Sequence, residues 1–201
     1  MAGTNRKLAK TKSEAVAAAG KTPAIILIEP QLGENIGMVA RAMLNCGLSD
    51  LRLVRPRDGW PNKQAVGTAS GADIVLENAK LFETTEAAIG DLKFVYAATA
   101  RDRDITKEVV TPAQNAMEIR RLGGEGCGIL FGGEAMGLNN DDIALTSKIV
   151  MVPLNPGFTS LNLSQAVLLL AYEWFKLADE TPASELRMKD SRPADKAELL
   201  G

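Results

Sequence analysis

Apolar residues along this chain occur at two different spacings that take turns. Short continuous runs, several of them rich in β-branched residues, stand at Ala24-Ile-Ile-Leu-Ile28, Leu51-Arg-Leu-Val54, Phe94-Val-Tyr-Ala-Ala98, Gly128-Ile-Leu-Phe131 and Ile149-Val-Met-Val152. Runs apolar at every position predict strands buried on both faces, as in a parallel sheet. Between them the spacing becomes helical. After a turn over Leu32–Gly37, Ile36, Val39, Ala40, Met43 and Leu44 form one stripe, which Gly47 ends. Gln64 to Ser70 predicts a helix, and Thr84 or Thr85 opens another that runs to Ile89. Thr111-Pro112 supplies a cap and a first-turn proline for a helix to about Leu122. Asn140 caps a short helix, and a long one runs from about Leu161 to Ala178. This alternation predicts an α/β fold: a mostly parallel sheet with helices on both faces. The expected organisation is a basic arm over residues 1–22, a domain over 23–179, and a charged tail over 180–201.

Composition removes whole classes of chemistry. The 201 residues suit a single domain, and they contain no histidine. Ser-His-Asp and Cys-His nucleophiles, imidazole acid–base chemistry and histidine metal sites are thereby excluded. The two cysteines, Cys46 and Cys127, cannot supply a four-thiolate site, so no metal is expected. No apolar run approaches the ~20 residues that span a bilayer, and the basic N-terminus lacks a secretory apolar stretch. A cytoplasmic protein with no membrane partner is expected.

The net charge of −2 hides an asymmetry. Residues 1–63 hold ten basic against five acidic side chains, and the remainder holds thirteen against twenty. A local basic patch is what phosphate contact requires, whatever the total charge. A solvated face with a flexible arm would give the same count.

Ligands of open parallel sheets collect beyond the carboxyl ends of strands. Three such places stand out. Phe131-Gly-Gly-Glu-Ala-Met-Gly-Leu138 follows a strand directly, and a glycine such as Gly132 lets a ligand come close to the backbone. It is no P-loop, because Glu134-Ala135 replaces the required Lys-Ser/Thr. It also reads as a plain tight turn. Val152-Pro-Leu-Asn-Pro-Gly-Phe-Thr-Ser-Leu-Asn-Leu-Ser164 leads a Pro/Gly turn into a hydroxyl-rich helix start, where Ser160 is either part of a ligand lip or simply the N-cap. Asn35 and Arg41 lie about 600° of helical turn apart, so they do not share a face. Arg41 is either a surface arginine or a clamp for phosphate or carboxylate.

In this order the segments Asn35-Ile-Gly-Met-Val-Ala-Arg41, Phe131–Leu138, and Ser160-Leu-Asn-Leu-Ser164 with Ala171-Tyr-Glu173 resemble three motifs of a known family. They are similar to those of the SpoU/TrmH-like branch of the SPOUT RNA 2′-O-methyltransferases, and most similar to the TrmJ type. The resemblance covers about residues 24–178. It implies a C-terminal trefoil knot, S-adenosylmethionine as cofactor, and a homodimer. By motif, the cofactor would meet Ala98, Thr99, Ala100, Gly132, Val152, Leu154, Thr159, Ser160 and Leu161, while Arg41, Asn35, Glu134, Ser160 and Asn162 match the catalytic set. The implied substrate is tRNA, methylated on the ribose of the cytidine or uridine at nucleotide 32. TrmJ-type enzymes also carry a C-terminal extension.

Such a reaction is an in-line displacement, in which a ribose 2′-oxygen attacks a sulfonium methyl. A guanidinium stays charged, so the expected part for Arg41 is to stabilise the developing alkoxide and grip the adjacent phosphate. Arg41, Glu134 or a substrate phosphate remain as ways of handling the proton. Ser160 and Asn162 would position the ribose. The competing readings are 2′-O-methylation of another tRNA or rRNA site, a non-catalytic RNA-binding protein that holds S-adenosylmethionine, and a nucleotide-binding α/β enzyme.

Overall fold

In the computed structural model the described residues are 21–100, 106–184 and 195–197. Most of the expected arm and tail, 1–20 with 185–194 and 198–201, lies outside them. The described strands are β1 (Ala24–Ile28), β2 (Leu51–Val54), β3 (Lys80–Phe82), β4 (Phe94–Ala98), β5 (Val109–Val110), β6 (Cys127–Gly132) and β7 (Lys148–Val150). The helices are α1 (Gly33–Asn45), α2 (Lys63–Ala69), α3 (Asp73–Glu77), α4 (Thr85–Ile89), α5 (Pro112–Arg121), α6 (Asn140–Ala144) and α7 (Leu163–Lys176). The strands form one sheet in the order β3-β2-β1-β6-β4-β7-β5. Every pairing within it is parallel.

β1 and β6 fill the centre because they are apolar at nearly every position. On one sheet face Ile25, Leu27 and Ile129 pack under α1, α5 and α7, with Ile36, Val39, Met43, Ile119 and Trp174 sealing the layer. On the other, Ile26, Ile28 and Leu130 meet Ala88 of α4 and Ile143 of α6. Both faces are covered, as the continuous apolar runs require.

Several boundaries differ from the sequence reading. α1 starts at Gly33, inside the expected turn, where an acceptor from the loop after β6 holds the N–H groups of Gln31 and Leu32 just before it. The cap of α6 is Asn139 and not Asn140: its side chain accepts from the Asp142 N–H, and Asp142 accepts in return. The long helix begins two residues later than expected, since Asn162 forms the same kind of box with Gln165. β7 ends at Val150, because the next residues leave the sheet to line a cavity. α3, β3 and β5 went unread. The two strands are short edge pieces whose exposed Lys80, Leu81 and Val109 break the apolar run.

Candidate active site

Three loops meet over the carboxyl ends of β6, β4 and β7, and enclose a cavity of about 320 Å³. Ala98, Thr99 and Ala100 leave β4, Gly132 ends β6, Val152 and Leu154 follow β7, and Thr159, Ser160 and Leu161 lead into α7. All nine residues matched by motif thus border one hollow. The floor includes residues the motifs did not name: Leu163, Ala166 and Leu170, a single stripe of α7, with Phe131 and Val150 from the sheet. That stripe was visible as helical spacing, but nothing in the sequence said which cavity it would face.

Among the described residues that line it, Glu134 is the only charged side chain. Such a wall suits a ligand that is apolar at one end and cationic or hydrogen-bonding at the other. It does not suit a polyphosphate.

Glu134 also ties the motifs together. Its Oε2 accepts the Gln31 N–H at 2.7 Å, and its Oε1 accepts the Leu32 N–H at 3.3 Å and the Asn35 Nδ2–H at 2.6 Å. Leu32 is the N-cap of α1 and has no side-chain cap of its own. The carboxylate, from the loop after the neighbouring strand β6, instead holds the N–H of that residue and of Gln31 before it, where the positive end of the helix favours it. Asn35 is 3% exposed, and its Oδ1 accepts from Asn162 Nδ2 at 3.0 Å. Asn162 Oδ1 in turn accepts from the N–H and hydroxyl of Ser164, at 2.9 and 2.8 Å. One unbroken chain of hydrogen bonds therefore joins the β6 turn, α1 and the start of α7. Glu134 has its oxygens occupied by backbone and amide donors, so its part here is to hold the loops.

Two residues whose roles the sequence left open are placed by the structure. Ser160 does not cap α7; Asn162 does, which leaves Ser160 exposed on the cavity lip. Gly132 borders the cavity, and its missing Cβ also serves the loop that follows. A Cβ there would lie 2.0 Å from the Gly137 carbonyl carbon and 2.1 Å from the Leu138 nitrogen, so the constraint comes from the loop folding on itself. A Gly133–Gly137 bridge closes that loop, with Gly137 at φ +66°. Arg41 stands apart, as its rotation from Asn35 required. It is exposed on α1, lines neither the cavity nor the network, and makes no hydrogen bond or ion pair among the described residues.

No group of three or more His, Cys, Asp or Glu able to hold a metal occurs among the described residues. No helix of the described residues is long and apolar enough to cross a membrane.

Comparison with known proteins agrees in extent with the motif-bearing region. The model of the SpoU rRNA methylase family matches residues 22–172. A tRNA (cytidine-2′-O-)-methyltransferase of Methanocaldococcus jannaschii is 34% identical over 179 residues, which is 88% of this chain and 77% of that protein. A tRNA (cytidine/uridine/adenosine-2′-O-)-methyltransferase of Pseudomonas aeruginosa is 38% identical over 152 residues, 74% of this chain but only 58% of its own length. The crystal structure of TrmJ from Z. mobilis superposes with a TM-score of 0.76 at 59% identity, covering 81% of this chain and 73% of that one.

Proposed function

Since this chain belongs to the SpoU methylase family, and within it to the TrmJ type, we propose that it methylates the ribose 2′-oxygen of a tRNA nucleotide, with S-adenosylmethionine as donor. The target we propose is the cytidine or uridine at nucleotide 32 of the anticodon loop. The observation that carries this reading is the cavity itself: bordered by every motif-matched cofactor residue, apolar below, and with one carboxylate as the only charge among its described lining residues. That lining fits a nucleoside bearing a sulfonium, which when bound supplies an electrophilic methyl group.

The chain's own residues have three tasks. The Glu134–Asn35–Asn162 network fixes the loops that shape the cavity, so that the reacting groups meet in line and without reorganisation. Ser160, on the lip, offers a hydroxyl to orient the ribose. Arg41 grips an adjacent phosphate and stabilises the alkoxide that develops as the 2′-hydroxyl loses its proton. Because Arg41 does not line the cavity of its own chain, it reaches the ribose only as the bound RNA bends toward it or from a second protomer.

We propose a homodimer, with α7 supplying part of its surface. Leu168, Leu169, Tyr172 and Phe175 are all exposed on that helix, a cluster of large apolar groups that favours association. The return of the chain from β7, near one sheet edge, to α7, packed against α1 and α5, supports a knotted C-terminal segment. Incubation with methyl-labelled S-adenosylmethionine and bulk tRNA, then digestion to nucleosides, tests the reaction. Labelled 2′-O-methylcytidine or 2′-O-methyluridine mapping to nucleotide 32 is expected. Label on a base, or none, would overturn it.

A further inference from the structure

A second cleft, of about 240 Å³, opens at the same end of the sheet between the loops that follow β1, β2 and β6. Its place in the topology is telling. From β1 the chain leaves through α1 toward β2, while from β6 it leaves through α6 toward β7, in the opposite direction along the sheet. The two helices pack on opposite faces, α1 over Ile25 and Leu27 and α6 over Ile26 and Leu130. The crevice between β1 and β6 is therefore the switch point of this sheet, where open parallel folds bind ligands. The donor cavity lies to one side of it, over β6, β4 and β7. Gly133 and Gly137 border both hollows, and the Glu134 carboxylate, on the wall of the first, accepts the N–H of Gln31 on the rim of the second.

The rim carries backbone strain. Glu29 and Arg55, the first residues beyond β1 and β2, have φ +48° and +44°. Side chains rarely adopt this region, and such residues cluster at ligand sites. Arg55 is spent in holding the pair: Nε and Nη2 donate to Glu29 Oε1 at 3.0 and 2.9 Å, and Nη1 donates to the Glu83 carbonyl at 2.6 Å. Arg57 differs. Its backbone N–H is fixed to the Pro30 carbonyl at 3.1 Å and its Nε donates to Asp58 at 3.0 Å, yet among the described residues neither Nη group has an acceptor. Its side chain is 54% exposed. Met136, on the β6 turn, is 72% exposed beside it.

We propose that this cleft binds a nucleotide of the RNA substrate next to the methylated one, with the open fork of Arg57 on its phosphate and the Met136 thioether against its base. The proposal rests on the RNA methyltransferase reading above. A guanidinium fork matches phosphate geometry, and methionine sulfur packs well on aromatic rings. The ribose–phosphate chain would then pass from this cleft to the donor cavity over Gly133 and Gly137, which border both.

Binding of bulk tRNA by fluorescence anisotropy over a range of salt, with donor binding by calorimetry on the same preparations, tests it. Arg57→Ala is expected to weaken tRNA binding roughly tenfold and to lower the salt slope by about one, leaving donor affinity unchanged. Arg57→Lys should keep the slope while losing part of the affinity, and Met136→Ala should cost roughly threefold with the slope intact. Arg121→Ala, at the exposed end of α5, is the charge-matched control. Wild-type affinity and slope in Arg57→Ala, or an equal loss in Arg121→Ala, would overturn the assignment. A wild-type protein that binds tRNA but transfers no methyl would overturn the proposed reaction alone, because the binding comparison still decides the cleft. One that does not bind tRNA would overturn both.

Discussion

At the amino ends of the strands Arg52 is only 3% exposed, yet all five of its N–H groups are used. They go to Asp50, Asp91 and the Ala88 carbonyl, and Lys80 adds a second cation on Asp50. At the carboxyl ends Glu134 is exposed and is held by amides alone, with no ion pair among the described residues. The first cluster is electrically closed: hydrogen bonds from Arg52 hold the Asp91 carboxyl below its ordinary value. The second is open: a carboxylate on a cavity wall and, elsewhere on α1, an exposed arginine with no hydrogen bond or ion pair among the described residues. Closed clusters contribute stability and leave nothing for a ligand. Open ones leave charge for a bound molecule to complete, and their cost is carried by the apolar packing beneath.

If that contrast holds, substitutions at the two ends should fail in different assays. The largest effect is expected for Arg41→Ala. Removing a donor aimed at developing negative charge typically costs roughly 10²–10³ in rate, so turnover should fall by that order while donor affinity and thermal stability stay unchanged. Arg41→Lys should restore little, because one ammonium cannot fork between alkoxide and phosphate. Full turnover of Arg41→Ala at saturating tRNA, with weakened RNA binding, would make it a phosphate contact only.

Arg52→Met should do the reverse. Leaving Asp50 and Asp91 without their buried cation should destabilise the fold by about 3 kcal/mol, the low end for a broken buried pair, since both carboxylates are partly solvated. Chemical denaturation reads this directly. Per-molecule turnover well below the melting transition should match wild type, and a loss of turnover would join the two clusters functionally.

Glu134→Gln is expected to be milder. The amide keeps one acceptor oxygen for three donors, so donor affinity should fall roughly tenfold with little change in melting temperature. An equal drop in stability and affinity would make Glu134 a fold element like Arg52.

The same contrast explains what could be read from the sequence. β1 was legible to the residue, because all five positions are buried and apolar; Thr111 announced its helix through its own hydroxyl, and the pair Thr84-Thr85 did so to within one residue, Thr84 being the cap. The edge strands β3 and β5 were not, since half-exposed pairs carry no period. Asn35, Glu134 and Asn162 were legible only as a pattern shared with a family. Their side chains bond directly to one another, but across about a hundred residues or more of sequence, and no local spacing predicts that meeting. At Gly132 the sequence left two demands indistinguishable: a loop that packs on its own backbone, as this one does, needs the same missing Cβ as one that packs on a ligand.

The smallest effect concerns pH and sharpens the account of the closed end. Glu118 of α5 is buried. Burial alone would raise its carboxyl, but donors from Gln114, Lys148 and Tyr96 outweigh that and hold it below the ordinary 4.5. Burial and the bond to Glu118 likewise push the Tyr96 phenol up. A carboxyl whose value is lowered on folding contributes stability that is complete above the unfolded value and is lost as pH falls through the folded one. Wild type should therefore lose this contribution below about pH 4.5, while Glu118→Gln, with nothing to protonate there, should not. At neutral pH the variant should be the less stable, having an amide where Tyr96 and Lys148 both expect an acceptor, and the gap should close as the solution is acidified. Urea midpoints of both proteins from pH 7 to pH 3 measure it. Parallel curves would mean that Glu118 is as well solvated as a surface carboxylate, and that the amino end of the sheet is less closed than its hydrogen bonds describe.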